Sequence, residues 1–365
     1  MLKLRKSVYN ATMYVGGLTT DEVIKKYNIT DVVKLGSNEN NYAPFASVRE
    51  VMHREIDRTN VYPEKNYEGL RRILGAKYGV SSEWVALGHG AGNVLDTISK
   101  TFLDEGDEVI IPNQTYGLYK EICLIMGAKV VSCDIDENYA IDVDKISALI
   151  TPKTKLIWIC NPNNPTSTVV ERSKLEKFIE SLPEHVYLVM DEAYVEFAKE
   201  DSVPNTIDYV KKGHQVMAVR TFSKYYGLAG QRVGYIVAKP ELIDYINTVA
   251  EPFNANRMGL AAAVELIQNC EAETSHFRSL IWRDREHLVA ELRKLGLEVV
   301  DSQTNFLFVK LPMLAKEFNE KLLCRGVIAR PCVGWGYPNH MRITIGTTEE
   351  NNKLLIAIKS ALESK

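Results

Sequence analysis

Two charged side chains in this sequence stand where they could do acid–base or covalent chemistry. Asp191 directly follows the apolar run 186–190, and Lys224 comes shortly after the next such run, 215–219. A lysine taken alone is usually a solvated surface charge. A carboxylate after an apolar strand is costly to bury unless it is paired with a ligand cation, a protonated ring nitrogen or a neighbouring arginine. The two residues therefore mark a candidate site whose chemistry depends on what lies beside them.

Two further loops follow apolar runs and contain small residues or amides. The loop 88–93 is rich in glycine and leads straight into a helical pattern, so its backbone N–H groups could approach a phosphate closely. Glycine-rich turns of this kind often exist only for their geometry. The loop 160–167 has two prolines that fix an extended turn and asparagines whose amides are left to donate. A rigid structural turn explains this second loop as well as a binding role does.

Taken together, the loops contain a defined chemical set. A lysine amine, an aspartate, a tyrosine, an asparagine and a glycine-rich anion site at one sheet edge are the groups that pyridoxal phosphate needs. The amine forms a Schiff base, the carboxylate keeps the pyridine nitrogen protonated, and the glycine-rich loop holds the phosphate. The residues concerned are Lys224, Asp191, Tyr194, Asn164 and the loop 88–93.

The elements that must position these loops alternate between strands and helices from about residue 47 to residue 250. Candidate strands are 85–87, 108–111, 129–132, 155–159, 186–190, 215–219 and 233–238, and helical spacing of apolar residues appears between most of them, for example at 95–102, 118–126 and 175–179. This alternation predicts an α/β fold, a three-layer sandwich with a mostly parallel central sheet and helices on both faces. Ligands of such sheets bind at the carboxyl ends of the strands, where the loops fall.

The pattern changes after residues 251–253. Two long helices, 256–270 and 273–295, precede a strand pair, a helix, two further strands and a closing helix at 348–362. This order is typical of a smaller α+β unit. We predict a large domain over 31–250 and a small domain that combines 251–365 with the N-terminal arm 1–30.

Composition excludes several classes of function. The chain has 365 residues, 45% hydrophobic and 25% charged, and its formal net charge of −3 favours neither nucleic acid nor an anionic membrane as a partner. No Cys/His spacing typical of a metal site occurs, and no apolar run is long enough to span a bilayer. The six cysteines never form Cys-x-x-Cys and are predicted to be buried free thiols of a reducing compartment. The N-terminus lacks the pattern of a signal peptide, so we expect a cytoplasmic protein.

Several motifs carry a resemblance to a known family. They are Asn-Pro-Asn-Asn-Pro-Thr (161–166), Asp-Glu-Ala-Tyr (191–194), Thr-Phe-Ser-Lys (221–224) and Gly-Leu-Ala-Gly-Gln-Arg-Val-Gly-Tyr (227–235), with Ser-Asn-Glu-Asn (37–40), Val-Tyr-Pro (61–63) and Met-Arg-Ile-Thr-Ile-Gly (341–346). The combination resembles the fold-type I pyridoxal-phosphate aminotransferases, specifically the histidinol-phosphate aminotransferase branch, nearly from end to end.

The resemblance implies roles for individual residues. Lys224 is similar to the Schiff-base lysine, whose free amine would then move the proton between the substrate α-carbon and the cofactor. Asp191 would pair with the pyridine nitrogen, Tyr194 and Asn164 with the ring hydroxyl, and Tyr116 would stack on the ring. The phosphate would be held by Ser223, Arg232, the backbone N–H groups of Gly90, Ala91 and Gly92, and Tyr62 of a neighbouring subunit, which implies a homodimer with shared sites.

On the substrate side the resemblance implies Arg330 and Arg342 as cations, together with Asn38 and the arm residue Tyr14. An arginine binds carboxylate or phosphate bidentately, so the same pair could receive glutamate in one half-reaction and a phosphorylated amine in the other. A solvated arginine after an edge strand is also common, which leaves a purely structural role for Arg330 open. Arg342 lies inside an otherwise apolar strand.

The sequence departs from the branch at a few positions. Asn41 replaces a usual proline, Ser167 a usual glycine, and Gly92-Asn93 a usual acidic pair. Because the anion site works through its backbone, the departures bear on substrate identity more than on cofactor binding. The segment 331–338, between the two arginines, is a further place where specificity could differ.

The implied function is transfer of an amino group between L-histidinol phosphate and 2-oxoglutarate/glutamate by a ping-pong mechanism. Three alternatives remain: an aminotransferase for aromatic amino acids or another small phosphorylated amine or ketone, a phospho-amino-acid decarboxylase on the same fold, and a non-enzymatic ligand-binding protein. Which amine is the true donor, and which arginine meets a phosphate, stays open.

Overall fold

The computed structural model describes residues 4–13 and 16–364. Its helices are α1 (Thr20–Tyr27), α2 (Ala46–Ile56), α3 (Glu68–Tyr78), α4 (Ala91–Phe102), α5 (Leu118–Met126), α6 (Val143–Ala148), α7 (Arg172–Ser181), α8 (Thr206–Lys211), α9 (Pro240–Val249), α10 (Arg257–Asn269), α11 (Glu271–Lys294), α12 (Ala315–Leu323) and α13 (Thr348–Glu363). Its strands are β1 (Val33–Lys34), β2 (Val85–Gly88), β3 (Glu108–Ile110), β4 (Lys129–Val131), β5 (Thr154–Cys160), β6 (Tyr187–Asp191), β7 (Val216–Thr221), β8 (Gly234–Val237), β9 (Glu298–Val299), β10 (Phe306–Lys310), β11 (Val327–Ile328), β12 (Arg330–Pro331) and β13 (His340–Thr344).

A seven-stranded central sheet has the order β2-β8-β7-β6-β5-β3-β4. The pairs from β7 to β4 are parallel, whereas β8 is antiparallel to both of its neighbours. The predicted mostly parallel α/β sheet is therefore confirmed, and each predicted strand lies within one or two residues of an observed one. Because β5, β6 and β7 run in one direction, their carboxyl ends meet at one edge.

The strands of the central sheet are buried on both faces, and alternate residues belong to two separate apolar cores. In β5, Leu156 and Trp158 pack with α4 and α5 on one face, whereas Ile157 and Ile159 pack with α6 and α7 on the other. This alternation follows from the two-residue period of a strand. Burial on both faces explains why the strands read as continuous apolar runs rather than as alternating ones.

The C-terminal part of the chain forms a second sheet with the order β12-β13-β10-β9. Near the N-terminus, β1 pairs in parallel with β11, which ties the chain around Val33 to the segment at Val327. Residues of the arm also contact α5, where the Thr12 hydroxyl donates to Glu121 over 2.8 Å. The division into domains at 31–250 stays a prediction.

The cysteine prediction was wrong for two residues. All six thiols are free, but Cys324 is exposed and Cys133 is only half-buried. Cys324 directly follows the amphipathic helix α12, where the apolar pattern alone does not tell which residue faces water. Among the residues that the structure describes, no helix is long and apolar enough to cross a membrane.

Candidate active site

A cavity of about 270 Å³ lies at the carboxyl ends of β5, β6 and β7. It gathers residues from distant parts of the chain, because parallel strands end at one sheet edge and the loop after β1 closes over them. Of the residues predicted from the sequence, its lining includes Asn38, Ala91, Gly92, Tyr116, Asn164, Asp191, Tyr194, Ser223, Lys224, Arg232, Arg330 and Arg342. Tertiary folding thus brings nearly all the predicted site residues together.

Lys224 follows β7, and its amine points into the cavity. Its Nζ donates a hydrogen bond of 2.9 Å to the carbonyl oxygen of Ser37. Burial and, after it, the positive charge of Arg342 lower the pKa of Lys224 to about 8. A substantial fraction of this amine is therefore neutral near pH 8, which is the state required of a nucleophile or a base.

Asp191 is the last residue of β6 and is 4% exposed. Its Oδ2 accepts a hydrogen bond of 2.6 Å from the Tyr119 hydroxyl, and its Oδ1 accepts one of 3.0 Å from the Ala193 N–H. Burial raises the pKa of Asp191 and the Tyr119 hydrogen bond partly offsets this effect, which leaves the pKa at about 6. Of the partners considered from sequence, the neighbouring Arg220 pairs instead with Glu192, over 2.8 Å.

Sequence reasoning missed Tyr119. The residue lies on α5 and is fully buried, and its hydroxyl reaches Asp191 across 72 positions of sequence. An amphipathic helix gives no sign of which of its residues will face another element's polar group. The sole signal in the sequence was that a buried tyrosine hydroxyl usually finds a hydrogen-bond partner.

Polar contacts join the loop after β1 to the cavity floor. The amide of Asn38 donates to the Tyr194 hydroxyl over 3.0 Å. The guanidinium of Arg342 donates to Oδ1 of Asn164 over 2.7 Å and to the carbonyl of Gly36 over 2.6 Å. Asn38, Tyr194, Asn164 and Arg342 are all buried, so these hydrogen bonds fix their orientations in the site.

The loop predicted to bind an anion leads into the N-terminus of α4, beside Arg232. Gly90 precedes the helix with φ of +90°, and a Cβ there would come within 2.3 Å of the Arg232 guanidinium. Arg232 itself donates to the Ser223 hydroxyl over 3.4 Å. Glycine at this position therefore lets the arginine approach the free N–H groups at the start of α4, and the combination attracts a phosphate.

Arg330 and Arg342 are directly opposite each other in the antiparallel pair of β12 and β13. Arg330 is half-buried, and its guanidinium donates to the Gly16 carbonyl over 3.0 Å. Both guanidiniums lie 5.8 Å from the ring centre of Trp335, a residue of the predicted specificity segment. The site thus presents two cations from one small sheet.

Tyr62 of this chain stands apart from the cavity. Tyr62 is 75% exposed and stacks on Phe253, at a ring-centre distance of 4.7 Å. It lines a separate surface groove that also contains Arg232. Tyr14 lies outside the residues that the structure describes.

The residues present fit pyridoxal phosphate. Asp191 is held by two neutral donors, so a protonated ring nitrogen is a partner that its carboxylate can accept. The amine of Lys224 and the anion site at Arg232 and the start of α4 line the same cavity. One amine, one carboxylate and one phosphate site are the groups that this cofactor requires.

The sequence is similar to those of known proteins over its whole length. Residues 30–358 match the family model described as aminotransferase class I and II. The chain is 36% identical to a histidinol-phosphate aminotransferase of Moorella thermoacetica, over 99% of this chain and 93% of that protein. It is 35% identical to a histidinol-phosphate aminotransferase of Brevibacillus brevis, over 97% of each.

Solved structures share the fold. The crystal structure of a histidinol-phosphate aminotransferase from Sinorhizobium meliloti, in complex with pyridoxal-5'-phosphate, has a TM-score of 0.91 and 24% identity, over 100% of this chain and 99% of that one. An aspartate aminotransferase of Thermus thermophilus with maleate has a TM-score of 0.84 and 24% identity, over 99% and 100%. The match to the family model and the identity to full-length relatives show that this chain belongs to the class I and II aminotransferases.

Proposed function

We propose that this aminotransferase moves an amino group between L-histidinol phosphate and 2-oxoglutarate/glutamate, with pyridoxal phosphate as its cofactor. The observation that carries the proposal is one cavity lined by Lys224, Asp191 and the opposed arginines Arg330 and Arg342. The substrate follows from relatives of that name at 35% to 36% identity over nearly the whole chain.

Pyridoxal phosphate, when bound, supplies an electron-accepting ring that makes the substrate's Cα–H acidic. The chain supplies the groups that hold the ring and move protons. We propose that the carboxylate of Asp191 pairs with the ring nitrogen, while the Tyr119 hydroxyl donates to that carboxylate and fixes its orientation. Tyr194 accepts a hydrogen bond from Asn38, and Asn164 accepts one from Arg342. We propose that these two buried residues also form hydrogen bonds with the ring hydroxyl. Tyr116, on the cavity wall, is proposed to stack on the ring face.

Lys224 is proposed to act twice. Its amine is the covalent anchor of the resting enzyme, and after substrate has displaced it the free amine carries a proton to and from the substrate Cα. The pKa of about 8 suits both tasks, because an ordinary lysine would stay charged at neutral pH. The neighbouring Ser223 hydroxyl, Arg232 and the N–H groups of Ala91 and Gly92 are proposed to hold the phosphate meanwhile.

We also propose that the protein works as a homodimer, in which Tyr62 of one chain completes the phosphate site of the other. In its support, Tyr62 and Phe253 form an exposed aromatic pair on the rim of a groove that contains Arg232. Large exposed aromatic groups next to a site are typical of an interaction surface. A cytoplasmic location is proposed as well, since all six cysteines are free thiols.

Spectroscopy of the half-reactions tests the function. The purified holoenzyme should lose its visible cofactor band with histidinol phosphate or glutamate and regain it with 2-oxoglutarate. Lys224→Ala should lower turnover by at least about 10³-fold, whereas Lys153→Ala, which removes an exposed lysine, should leave it unchanged. The proposed substrate would be contradicted if the cofactor band did not change with histidinol phosphate but changed with aromatic amino acids. Release of carbon dioxide in place of amino transfer would contradict it as well.

A mixing experiment tests the shared site. Tyr62→Ala and Lys224→Ala chains are each expected to be weakly active or inactive alone at limiting cofactor. Mixed and re-equilibrated, they should regain activity, because the hybrid contains one site with both Lys224 and a Tyr62 from the other chain. A monomer in light scattering, or no gain on mixing, would refute the arrangement.

A further inference from the structure

Two like charges face the same side of the small sheet. Arg330 and Arg342 are direct partners in the antiparallel pair of β12 and β13, so their side chains leave the sheet on one face, with Cβ atoms about 5 Å apart. Like charges directly opposite each other are destabilising. Something in the structure must therefore hold the two guanidiniums in defined positions.

The two arginines are held unequally by the rest of the chain. Arg342 is 7% exposed and donates to Asn164 and to the carbonyl of Gly36. Arg330 is more exposed, and its guanidinium donates to the carbonyl of Gly16 in the N-terminal arm. Arg342 is thus held by buried groups, whereas Arg330 contacts the backbone of the N-terminal arm.

Trp335 is the contact that the two arginines share. It lies in the connection between β12 and β13, and its ring centre is 5.8 Å from each guanidinium carbon, within the range of a cation–π interaction. Its Nε1 donates a hydrogen bond of 2.7 Å to the carbonyl of Thr115, which fixes the plane of the indole. The indole therefore acts as a rigid surface between the β12–β13 pair and the residue that precedes Tyr116.

The indole also stands at the boundary between two cavities. Trp335, Arg330 and Tyr116 line both the cavity that contains Lys224 and an adjoining outer cavity. A group at Arg330 is therefore farther out from the buried site than a group at Arg342. The two cations thus lie at different depths of one site.

We propose that Trp335 is a positioning residue that sets the place of the Arg330 guanidinium relative to Arg342, and thereby favours, among amino-acid donors, those with a second, distal carboxylate. This inference rests on the proposed function, in which glutamate is one donor. Glutamate could engage both guanidiniums, one with each carboxylate, each as a charge-assisted pair. Glutamine has the same shape and a neutral distal amide, so it would gain much less from Arg330.

The experiment compares the two donors in the holoenzyme. Trp335→Leu is expected to lower the ratio of kcat/KM for glutamate to kcat/KM for glutamine by about tenfold, mainly through the KM of glutamate, since one charge-assisted contact is lost. Trp335→Phe retains an aromatic face but not the N–H donor, so its ratio should fall between those of the wild type and Trp335→Leu. An equal loss for both donors, or an unchanged ratio, would overturn the proposal.

A double-mutant cycle tests whether Trp335 acts through Arg330. Arg330→Gln should lower the ratio by itself, and adding Trp335→Leu to it should change the ratio no further. Additive effects in the cycle would refute the positioning role. If the proposed function itself is wrong, the wild type will not transaminate glutamate. That result is seen before any variant is compared, so it is distinct from a failure of the positioning role.

Discussion

The hydroxyl oxygen of Tyr119 lies 2.6 Å from Oδ2 of Asp191, in the interior between α5 and the end of β6. Burial penalises the charged carboxylate, and the phenol's hydrogen bond to the charged form works against that penalty. The balance leaves the pKa of Asp191 at about 6. The carboxylate is thus mostly ionised at neutral pH, but its pKa lies only slightly below that pH. The hydrogen bond from Tyr119 keeps the pKa from rising further.

Tyr119→Phe should move the acid limit of cofactor binding to higher pH. Without the donor, the pKa of Asp191 rises above 6, by about 1 to 2 units if the lost hydrogen bond to a charged group is worth about 1.5–3 kcal/mol. The Kd of pyridoxal phosphate for the apoenzyme, titrated from pH 5 to pH 9, would then weaken already near neutral pH.

The matched control is Tyr187→Phe, at the other end of β6. Tyr187 is half-buried against Phe102 and lies four residues before Asp191 in the strand. Its removal should leave the acid limit in place. If Tyr119→Phe and the wild type share one pH profile, the assigned role of Tyr119 is wrong.

Asp191→Asn should separate cofactor binding from stability. The folded-state pKa of Asp191 is raised, so its stabilising contribution is full below the ordinary pKa of 3.8 and is lost as the pH rises through about 6. At pH 7.5 an asparagine avoids the buried charge and can still pair with Tyr119 and the Ala193 N–H. The apoenzyme should melt at the same temperature or higher, while cofactor affinity and kcat/KM fall by at least about 100-fold, because the loss of a charged hydrogen-bonded pair costs 3 kcal/mol or more.

Glu192→Gln, one residue along, is expected to destabilise the protein instead. It breaks the buried pair with Arg220, whose Nε lies 2.8 Å from the carboxylate. Leaving that guanidinium without its charge partner should lower the free energy of unfolding by about 3 kcal/mol. A stability loss in Asp191→Asn as large as in Glu192→Gln, measured by urea denaturation of the apoenzymes, would contradict the distinction.

Arg342→Gln should raise the pKa of Lys224. The guanidinium is the largest charge effect that lowers this pKa, after burial itself. Without it the ammonium form is less disfavoured, so the pKa rises above 8 and the amine becomes neutral only at higher pH. The measurement is the pH dependence of Lys224 labelling by an amine reagent in the apoenzyme, followed by peptide mass spectrometry.

Arg330→Gln serves as the comparison for this labelling. The other main charge effects on the pKa of Lys224 come from Glu39, Arg232 and Lys34, so removing Arg330 should shift the midpoint of labelling much less. Equal shifts in the two variants would show that the field of the whole site, rather than Arg342, sets the reactivity of the lysine.

Ser167→Gly should stabilise the protein by about 1 kcal/mol. Ser167 has φ of +65°, which costs a residue with a side chain about 1–2 kcal/mol, and its buried hydroxyl finds no hydrogen-bond partner among the described residues. The greater freedom of glycine in the unfolded chain offsets part of the gain. Ser81→Gly, at an extended position with φ of −78°, should instead lower stability by about 0.5–1 kcal/mol. Urea denaturation compares the two, and a destabilised Ser167→Gly would refute the strain argument.

The departure at Asn41 also finds a structural explanation. Its amide donates to the carboxylate of Glu350 over 2.8 Å, and Glu350 in turn caps the start of α13 with Thr347. The loop that carries Asn38 is thereby joined to the last helix. Gly92 lines the cavity at the first turn of α4.

The sequence by itself determined a mostly parallel sheet, the order of strands and helices along the chain, and the set of residues at the sheet's carboxyl edge. Strands buried on both faces read as apolar runs, and Asp191 stands out because a carboxylate at the end of such a run is costly to bury unless it is paired. Local pattern was therefore enough to predict the fold class and the chemistry that the edge can hold.

Only the tertiary structure decided the contacts between residues far apart in the chain. The hydrogen bond from Tyr119 to Asp191, the pairing of Arg220 with Glu192, and the arrangement of Trp335 between two arginines depend on helix orientation and strand register. A one-residue shift of β12 against β13 would place Arg330 and Arg342 on opposite faces, yet would leave the local sequence pattern unchanged. These long-range contacts set the pKa values and the spacing of charges, because both depend on distance through space and not along the chain.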